Sequence, residues 1–139
     1  MGLGAAVFKS ISTMEREFSG YRFQREPITG ECEVIHPEDV ELGLDEVVAY
    51  SLRFGNISHI GDMRAEIEEY LGEMSALERL VLYSGSHSGD IIEEPSFGEL
   101  ERELKLIESS SDPYVQEFAD GLSELIAMAR REKNPIVFV

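Results

Sequence analysis

The residues with the clearest catalytic potential form one polar stretch, His87-Ser88-Gly89-Asp90. Histidine transfers protons near neutral pH, and a neighbouring carboxylate can orient its ring. A serine nucleophile would need a defined position beside that base. Ser86 and Ser88 flank His87 too closely for either to be placed for attack, and no G-x-S-x-G turn occurs in the chain. We therefore favour a hydrogen-bonded turn here and keep a small enzyme centred on this loop as an alternative.

Metal and cofactor sites have little support in the sequence. His36, His59 and His87 are the only histidines and Cys32 is the only cysteine, without C-x-x-C, H-E-x-x-H or EF-hand spacing. No Lys-Ser or Lys-Thr pair follows the glycines near residue 85, so a phosphate-binding P-loop is excluded. We expect neither metal nor cofactor. The single cysteine suits a reducing compartment, and we expect a cytoplasmic protein.

Acidic residues are the strongest signal in the composition. The chain of 139 residues has 28 Asp and Glu against 12 Lys and Arg, a net charge of −16. Such a charge repels nucleic acids and anionic membranes and attracts basic proteins. The acids are also unevenly placed, because residues 27–52 contain seven acids and no Lys or Arg. Residues 65–101 contain ten acids and one base, Arg79. We expect a basic protein partner, no nucleic acid and no membrane.

Four of these acids share one side of a predicted helix that begins near residue 58. They are separated by steps of four, three and four, which places them opposite the apolar residues Ile60, Met63 and Ile67. The same period predicts that Tyr70, Leu71 and Met74 continue this apolar face. Like charges four residues apart cost a few tenths of a kcal/mol each. The row is therefore either a solvated face or a docking surface, which three later acids would extend. The candidate contact residues are Asp62, Glu66, Glu69, Glu73, Asp90, Glu93 and Glu94.

The C-terminal third predicts two amphipathic helices followed by a strand. Apolar residues in residues 97–107 recur at three- and four-residue steps, and Ser96 with Glu99 forms a capping-box pattern. Asp112-Pro113 is an N-cap followed by a first-turn proline, which begins the second helix. Asn134-Pro135 ends that helix, and residues 136–139 are an apolar strand.

The preceding chain predicts the rest of an α+β domain. A strand–helix–strand succession over residues 46–84 predicts a right-handed crossover between parallel strands. The Pro27 to Gly30 turn joins two short strands in a hairpin. We expect one domain over residues 1–139, with a mixed β-sheet of about four to six strands packed against three helices. The predicted segments are a strand at 4–11, the hairpin strands at 21–24 and 31–34, a strand at 46–54, a helix from about 58 to 71 or beyond and a strand at 78–84.

Several segments of the chain resemble a known family. They are the start Met1-Gly2-Leu3-Gly4, the Gly-Asn-Ile-Ser-His segment at 55–59, the strand with a Ser-Gly-rich turn at 80–89 and the Leu-Glu-x-Glu-Leu-x-x-Ile helix at 100–107. The helix before the final strand is a fifth such segment. In these features the chain is similar to the bacterial immunity proteins encoded beside polymorphic toxins, in particular the family numbered seventy. Residues 10–45 have no counterpart. The resemblance implies an α+β fold, no catalysis and neutralisation of a cognate toxin by binding, and it assigns no contact residues.

The leading hypothesis is therefore a non-catalytic acidic binding protein of the immunity type. Its partner would be a basic toxin domain such as a nuclease, whose active site an acidic surface could occupy in place of nucleic acid. Two alternatives remain from the residues alone. One is the small enzyme at the His87–Asp90 loop, and the other is a homodimeric regulatory protein that pairs through a sheet edge or a helix face.

Overall fold

The computed structural model describes residues 2–139 and contains a four-stranded sheet, a two-stranded sheet and a layer of helices, so the predicted α+β class is confirmed. The strands are β1 Gly2–Phe8, β2 Arg22–Arg25, β3 Cys32–His36, β4 Val48–Asn56, β5 Ile91–Ile92 and β6 Ile136–Phe138. The helices are α1 Ile11–Glu17, α2 Leu44–Val47, α3 Ile57–Leu71, α4 Phe97–Leu106 and α5 Pro113–Glu132. A π-helix, Glu78–Leu82, and a 3-10 turn, Glu94–Ser96, lie between α3 and α4.

The four-stranded sheet has the order β4-β1-β6-β5. Each of its neighbouring pairs is antiparallel, with Ala5 opposite Leu52 on one side and Phe138 on the other. The central strand β1 is apolar on both faces, and Val7 is buried on one face and Phe8 on the other. Burial on both faces explains why the chain's first strand lies inside the sheet and not at its edge.

Two clusters of buried side chains hold the layers together. The larger cluster joins one face of the sheet to α3, α4 and α5, as the sequence predicts for the three long helices. The smaller cluster lies on the other face, where Phe8 and Val137 of the sheet meet Met14 of α1 and Phe23 of the β2–β3 hairpin. The sheet is therefore enclosed between a helical layer and a smaller layer of hairpin and short helix.

The predicted strand over residues 78–84 is wrong, and with it the parallel crossover. The segment becomes helical at Ala76 and continues as the π-helix Glu78–Leu82. Its first N–H groups are satisfied by a distant side chain, because the Glu103 carboxylate accepts from the backbone N of Ala76 at 2.9 Å and of Leu77 at 2.8 Å. A short apolar run does not distinguish a buried strand from a buried helix by its periodicity.

The predicted capping box at the start of α4 is also wrong. Ser96 has helical backbone angles (φ −87°, ψ −13°) and makes no side-chain cap hydrogen bond. It ends the preceding 3-10 turn, which has Pro95 near its start. By contrast, the Asp112 cap is confirmed, because its Oδ1 accepts from the backbone N of Tyr114 at 2.9 Å.

Several predicted strand boundaries shift. The first strand ends at Phe8, and Ile11 instead begins α1, whose N-cap is Ser10. Residues 46 and 47 belong to the helical turn α2, so β4 begins at Val48. The connection at 91–94 contains the short strand β5, which the sequence did not predict. The hairpin of β2 and β3 is confirmed, and Gly30 in its turn has a φ of +82° that favours glycine.

Candidate partner-binding surface

Helix α3 positions the predicted acidic row, and its orientation is fixed by what it buries. The Oδ1 atom of Asn56 caps the helix by accepting from the backbone N of His59 at 2.9 Å. Ile60, Met63 and Ile67 are at most 2% exposed and pack into the larger core cluster. Because these three residues lie on one side of the helix, the opposite side faces solvent.

We call Asp62, Glu66, Glu69 and Glu73 the acidic ridge. Asp62, Glu69 and Glu73 are exposed. Glu66 is half-buried, and its Oε1 accepts from Ser110 Oγ at 3.4 Å. The expectation that all four lie on the helix is wrong for Glu73, because α3 ends at Leu71 and Gly72 turns the chain with a φ of +73°. The ridge thus has three helical carboxylates and a fourth in the turn that follows.

Two large apolar side chains lie among the ridge acids in the sequence. The pattern predicts Tyr70 and Met74 on the inner face of α3, and this is wrong. Tyr70 is 41% exposed and Met74 is 69% exposed. Met74 falls in the turn after the helix with a φ of +67°, so its side chain leaves the helical register. The C-terminal end of α3 therefore offers exposed aromatic and thioether groups next to Glu69 and Glu73, a mixture common in protein interfaces.

The one cation of α3 does not neutralise the acidic ridge. Arg64 Nη1 donates to the backbone O of Leu82 and of Tyr83, each at 3.3 Å, and so helps to end the π-helix. Beside it, a hydrogen bond from Glu78 raises the pKa of Glu68. The surface around α3 is consequently dominated by carboxylates that carry no ion pair within the described residues.

The three later acids lie in other surroundings. Asp90 Oδ2 is 3.3 Å from His87 Nδ1, in the loop before β5. Glu93 and Glu94 line a groove of about 280 Å³ together with Arg25 and Lys133. No hydrogen bond or ion pair joins any of these three acids to the ridge in the described part of the chain, and their own partners and neighbours belong to other elements.

A second row of acids was missed by the sequence reasoning. Glu117, Asp120 and Glu124 are exposed on the outward side of α5, and they line a groove of about 310 Å³ beside β4. Their steps of three and four residues are the signal that would have found them. They belong to the same helical layer as the ridge, which makes them a matched comparison for any test of it.

Comparisons of the chain with protein-family models, with curated proteins and with solved structures find no match. The likeness to immunity proteins therefore stays a prediction, and the functional argument depends on the surfaces of this chain. No helix within residues 2–139 combines the length and the apolar character that a membrane span requires.

In the loop considered for catalysis, the side chain of the histidine is buried. The His87 side chain is 5% exposed, with its ring 4.3 Å from that of Tyr83 and 4.2 Å from that of Phe138 between centroids. Its Nε2 donates to the backbone O of Val81 at 2.7 Å. His87 Nδ1 is buried and has no hydrogen-bond partner among the described residues. A general base must reach the proton of a substrate, and here burial, stacking and the hydrogen bond from Nε2 engage the ring within the fold.

The other residues that could serve as metal ligands have separate surroundings. The His59 ring lies against that of Tyr114 at 4.4 Å, and His36 is paired with Arg22 in the two-stranded sheet. Cys32 is buried, and burial raises the pKa of its thiol. Among residues 2–139 no group of three or more His, Cys, Asp and Glu side chains is arranged to hold a metal ion.

Proposed function

We propose that this chain is a cytoplasmic immunity-type protein that neutralises a basic bacterial toxin domain by direct binding through the acidic ridge. One observation carries the proposal. Two exposed carboxylates without ion pairs, Glu69 and Glu73, occur together with exposed Tyr70 and Met74 at the C-terminal end of α3, and exposed Asp62 extends the row toward the start of the helix. Exposed apolar side chains are common on this surface, so the proposal depends on the position of Tyr70 and Met74 beside unpaired carboxylates and not on their exposure alone.

The two kinds of group would act at different stages of binding. The carboxylates would raise the association rate with a cationic surface, an effect that salt screens. Tyr70 and Met74 would then be buried against the partner and slow its dissociation, because buried aromatic and thioether groups contribute most where water is excluded. For a nuclease toxin, the row of carboxylates would occupy the cationic groove that otherwise receives phosphates.

The experiment first determines whether the adjacent gene encodes a secreted protein with a C-terminal toxin domain, and its absence would count against the immunity hypothesis. Where that domain is encoded, its binding to this chain is measured. The triple variant Asp62→Lys, Glu69→Lys, Glu73→Lys reverses the charge at three of the four positions of the acidic ridge. The matched control Glu117→Lys, Asp120→Lys, Glu124→Lys changes the net charge by the same amount on α5. We expect the ridge variant to lose at least about 100-fold in affinity, since like charges across an interface cost several kcal/mol. The control should lose less than about tenfold.

Folding must be measured alongside binding. Both variants place lysines only at exposed positions, and we expect far-ultraviolet circular dichroism and cooperative thermal unfolding to remain. Equal losses in the two variants would indicate that net charge alone governs binding and would remove the ridge from the proposal. Unchanged toxin affinity in the ridge variant would refute the ridge model outright.

A further inference from the structure

Several basic side chains line one cleft of this strongly acidic molecule, and we call it the basic cleft. The cleft has a volume of about 480 Å³ and lies where the start of α1, the end of β2 and the last turn of α5 meet. Four of the chain's 12 Lys and Arg residues line it, which are Arg16, Arg25, Arg131 and Lys133. These residues come from three elements that are distant in the sequence, so the fold brings the charges together.

The cleft has few carboxylates to balance its cations. Glu132 is the one acid lining it, and its Oε2 is 3.8 Å from Arg131 Nε. Within residues 2–139 no carboxylate lies within 4.0 Å of a side-chain nitrogen of Arg16, Arg25 or Lys133. In a chain with 28 acids, three basic groups without an ion pair among the described residues line one cleft, so their charge is available to an outside anion.

A buried polar frame holds two of the guanidinium groups in place. Asn134 is 5% exposed, and its Oδ1 accepts from Arg25 Nε at 3.0 Å. Arg25 Nη1 donates to the backbone O of Glu26 at 3.4 Å and of Pro27 at 3.2 Å, so Nη2 is the nitrogen of this guanidinium that remains for a ligand. Glu132 is 4% exposed, and its Oε1 accepts from Thr13 Oγ1 at 2.7 Å. Thr13 Oγ1 in turn accepts from Arg16 Nη2 at 3.1 Å. Groups that are already oriented lose less entropy when they bind a ligand.

The helix dipole explains only part of this arrangement. The C-terminal end of α5 carries a partial negative charge of about half a unit, which favours Arg131 and Lys133 nearby. It does not account for Arg16 and Arg25, which come from α1 and β2. The acids nearest in the adjoining groove, Glu93 and Glu94, make no ion pair with Arg25 or Lys133 there.

We propose that this cleft binds phosphoryl groups, carried either by inorganic pyrophosphate or by a nucleotide. Guanidinium groups bind phosphate oxygens through paired, charge-assisted hydrogen bonds, and three of the four cations are arginines. Ser12 adds a hydroxyl donor to the lining. The lining contains no aromatic ring on which a base could stack, so the phosphoryl groups carry the recognition. This site is separate from the acidic ridge, and its test is independent of the toxin.

The test is isothermal titration calorimetry of the full chain with inorganic pyrophosphate and, separately, with ADP. We expect saturable binding of both, with dissociation constants within about threefold of each other because a base adds no stacking. The variant Arg16→Gln, Arg131→Gln should weaken pyrophosphate binding by about tenfold or more. The control Arg22→Gln, Arg102→Gln removes the same charge from exposed positions outside the cleft lining and should stay within about twofold.

The outcomes separate the possible sources of the anion. ADP could bind much more tightly than pyrophosphate, and the Arg16 and Arg131 variant could weaken ADP binding as well. That result would support the site and would identify a nucleotide as the source of the phosphoryl groups. Absence of saturable pyrophosphate binding would overturn the proposal, as would equal losses in the two double variants. A glutamate-rich peptide that binds this cleft more tightly than pyrophosphate would also overturn it, in favour of an acidic protein segment.

Discussion

At the scale of single residues, the buried carboxylate of Glu103 organises the contact between two helices. The residue is 8% exposed, and its two oxygens accept from the backbone N of Ala76 and of Leu77. These N–H groups begin a helix and have no partner within it. Glu103 thus takes the place of a local cap, from a position on α4 that is remote in the sequence.

We expect Glu103→Ala to lower the free energy of unfolding by about 3 kcal/mol, because two buried donors lose a charged acceptor. Glu103→Gln should cost less, since its single amide oxygen still accepts. Urea denaturation at pH 7 measures both. The comparison is Glu101→Ala, which removes an exposed ion pair with Arg130 and should change stability by less than about 1 kcal/mol. Similar losses at both positions would contradict the capping role.

Glu132 links stability to pH. Burial raises the pKa of its carboxyl, but hydrogen bonds from Ser10 N and Thr13 Oγ1 outweigh burial, and Arg131 adds to them, so its pKa is lowered. A carboxyl whose pKa is lower in the folded state stabilises the fold above its unfolded pKa. This contribution is lost as the pH falls through the folded pKa.

The variant Glu132→Gln keeps an oxygen acceptor but loses the charge. We expect it to be less stable than the parent by about 1 kcal/mol at pH 7, because hydrogen bonds to a charged acceptor are the stronger kind. The gap should narrow as the pH falls below about 4.5, where the carboxyl of the unfolded chain begins to take up its proton, and should close below the pKa of the folded carboxyl, which is lower. Thermal unfolding from pH 7 to pH 3 measures this gap, and a constant difference across that range would contradict the assignment.

At the scale of elements, the residue that follows α5 affects both the stability of the fold and the charge of the basic cleft. Lys133 follows the helix with left-handed backbone angles (φ 57°, ψ 37°), a conformation that glycine adopts at lower cost. Its backbone N donates to Ala129 O as the helix cap. A lysine at this position carries a strain that a cationic role in the cleft would explain.

We expect Lys133→Gly to raise the free energy of unfolding by about 1 kcal/mol, because glycine relieves the left-handed strain. The same variant should bind pyrophosphate less tightly by about threefold, since one cation is lost. Lys133→Ala is the control, which removes the charge and keeps the strain, so it should weaken binding without the gain in stability. Calorimetry of unfolding and of binding checks both effects. Stabilisation by alanine equal to that by glycine would show that charge and not strain is the cause.

The elements also show how far the sequence predicts this fold. The start of α5 follows from Asp112-Pro113 because the cap acts within its own helix turn. The helix over residues 76–82 could not be predicted in that way, since the acceptor that caps it is Glu103, on another helix. A cap supplied by a residue distant in the sequence leaves no local pattern, so the apolar run by itself predicts a strand.

The two candidate sites also differ in how far the sequence predicts them. The outward orientation of Asp62 and Glu69 follows from the helical period, which places them opposite the buried face. The turn that moves Glu73 and Met74 off the helix does not follow from that period. The basic cleft was beyond the sequence, because Arg16, Arg25 and Arg131 are single charges in separate elements and meet only in the folded chain.

At the scale of the whole molecule, the excess of acids acts on stability and on binding in opposite directions. A net charge of −16 on 139 residues repels itself in the folded state, where the charges are closer together than in the unfolded chain. Salt screens this repulsion and should stabilise the fold. The same screening should weaken the attraction between the acidic ridge and a cationic partner.

We expect the melting temperature to rise by about 3–5 °C between about 20 and 300 mM sodium chloride, which corresponds to roughly 1 kcal/mol in a domain of this size. Over the same range the association rate with the toxin domain should fall by about tenfold or more, measured by stopped flow. The ridge and α5 triple variants carry equal net charge, so both should show the same reduced salt effect on melting. Only the ridge variant should lose the salt dependence of association. A melting temperature that falls with salt would show that favourable ion pairs, and not self-repulsion, dominate the electrostatics of the fold.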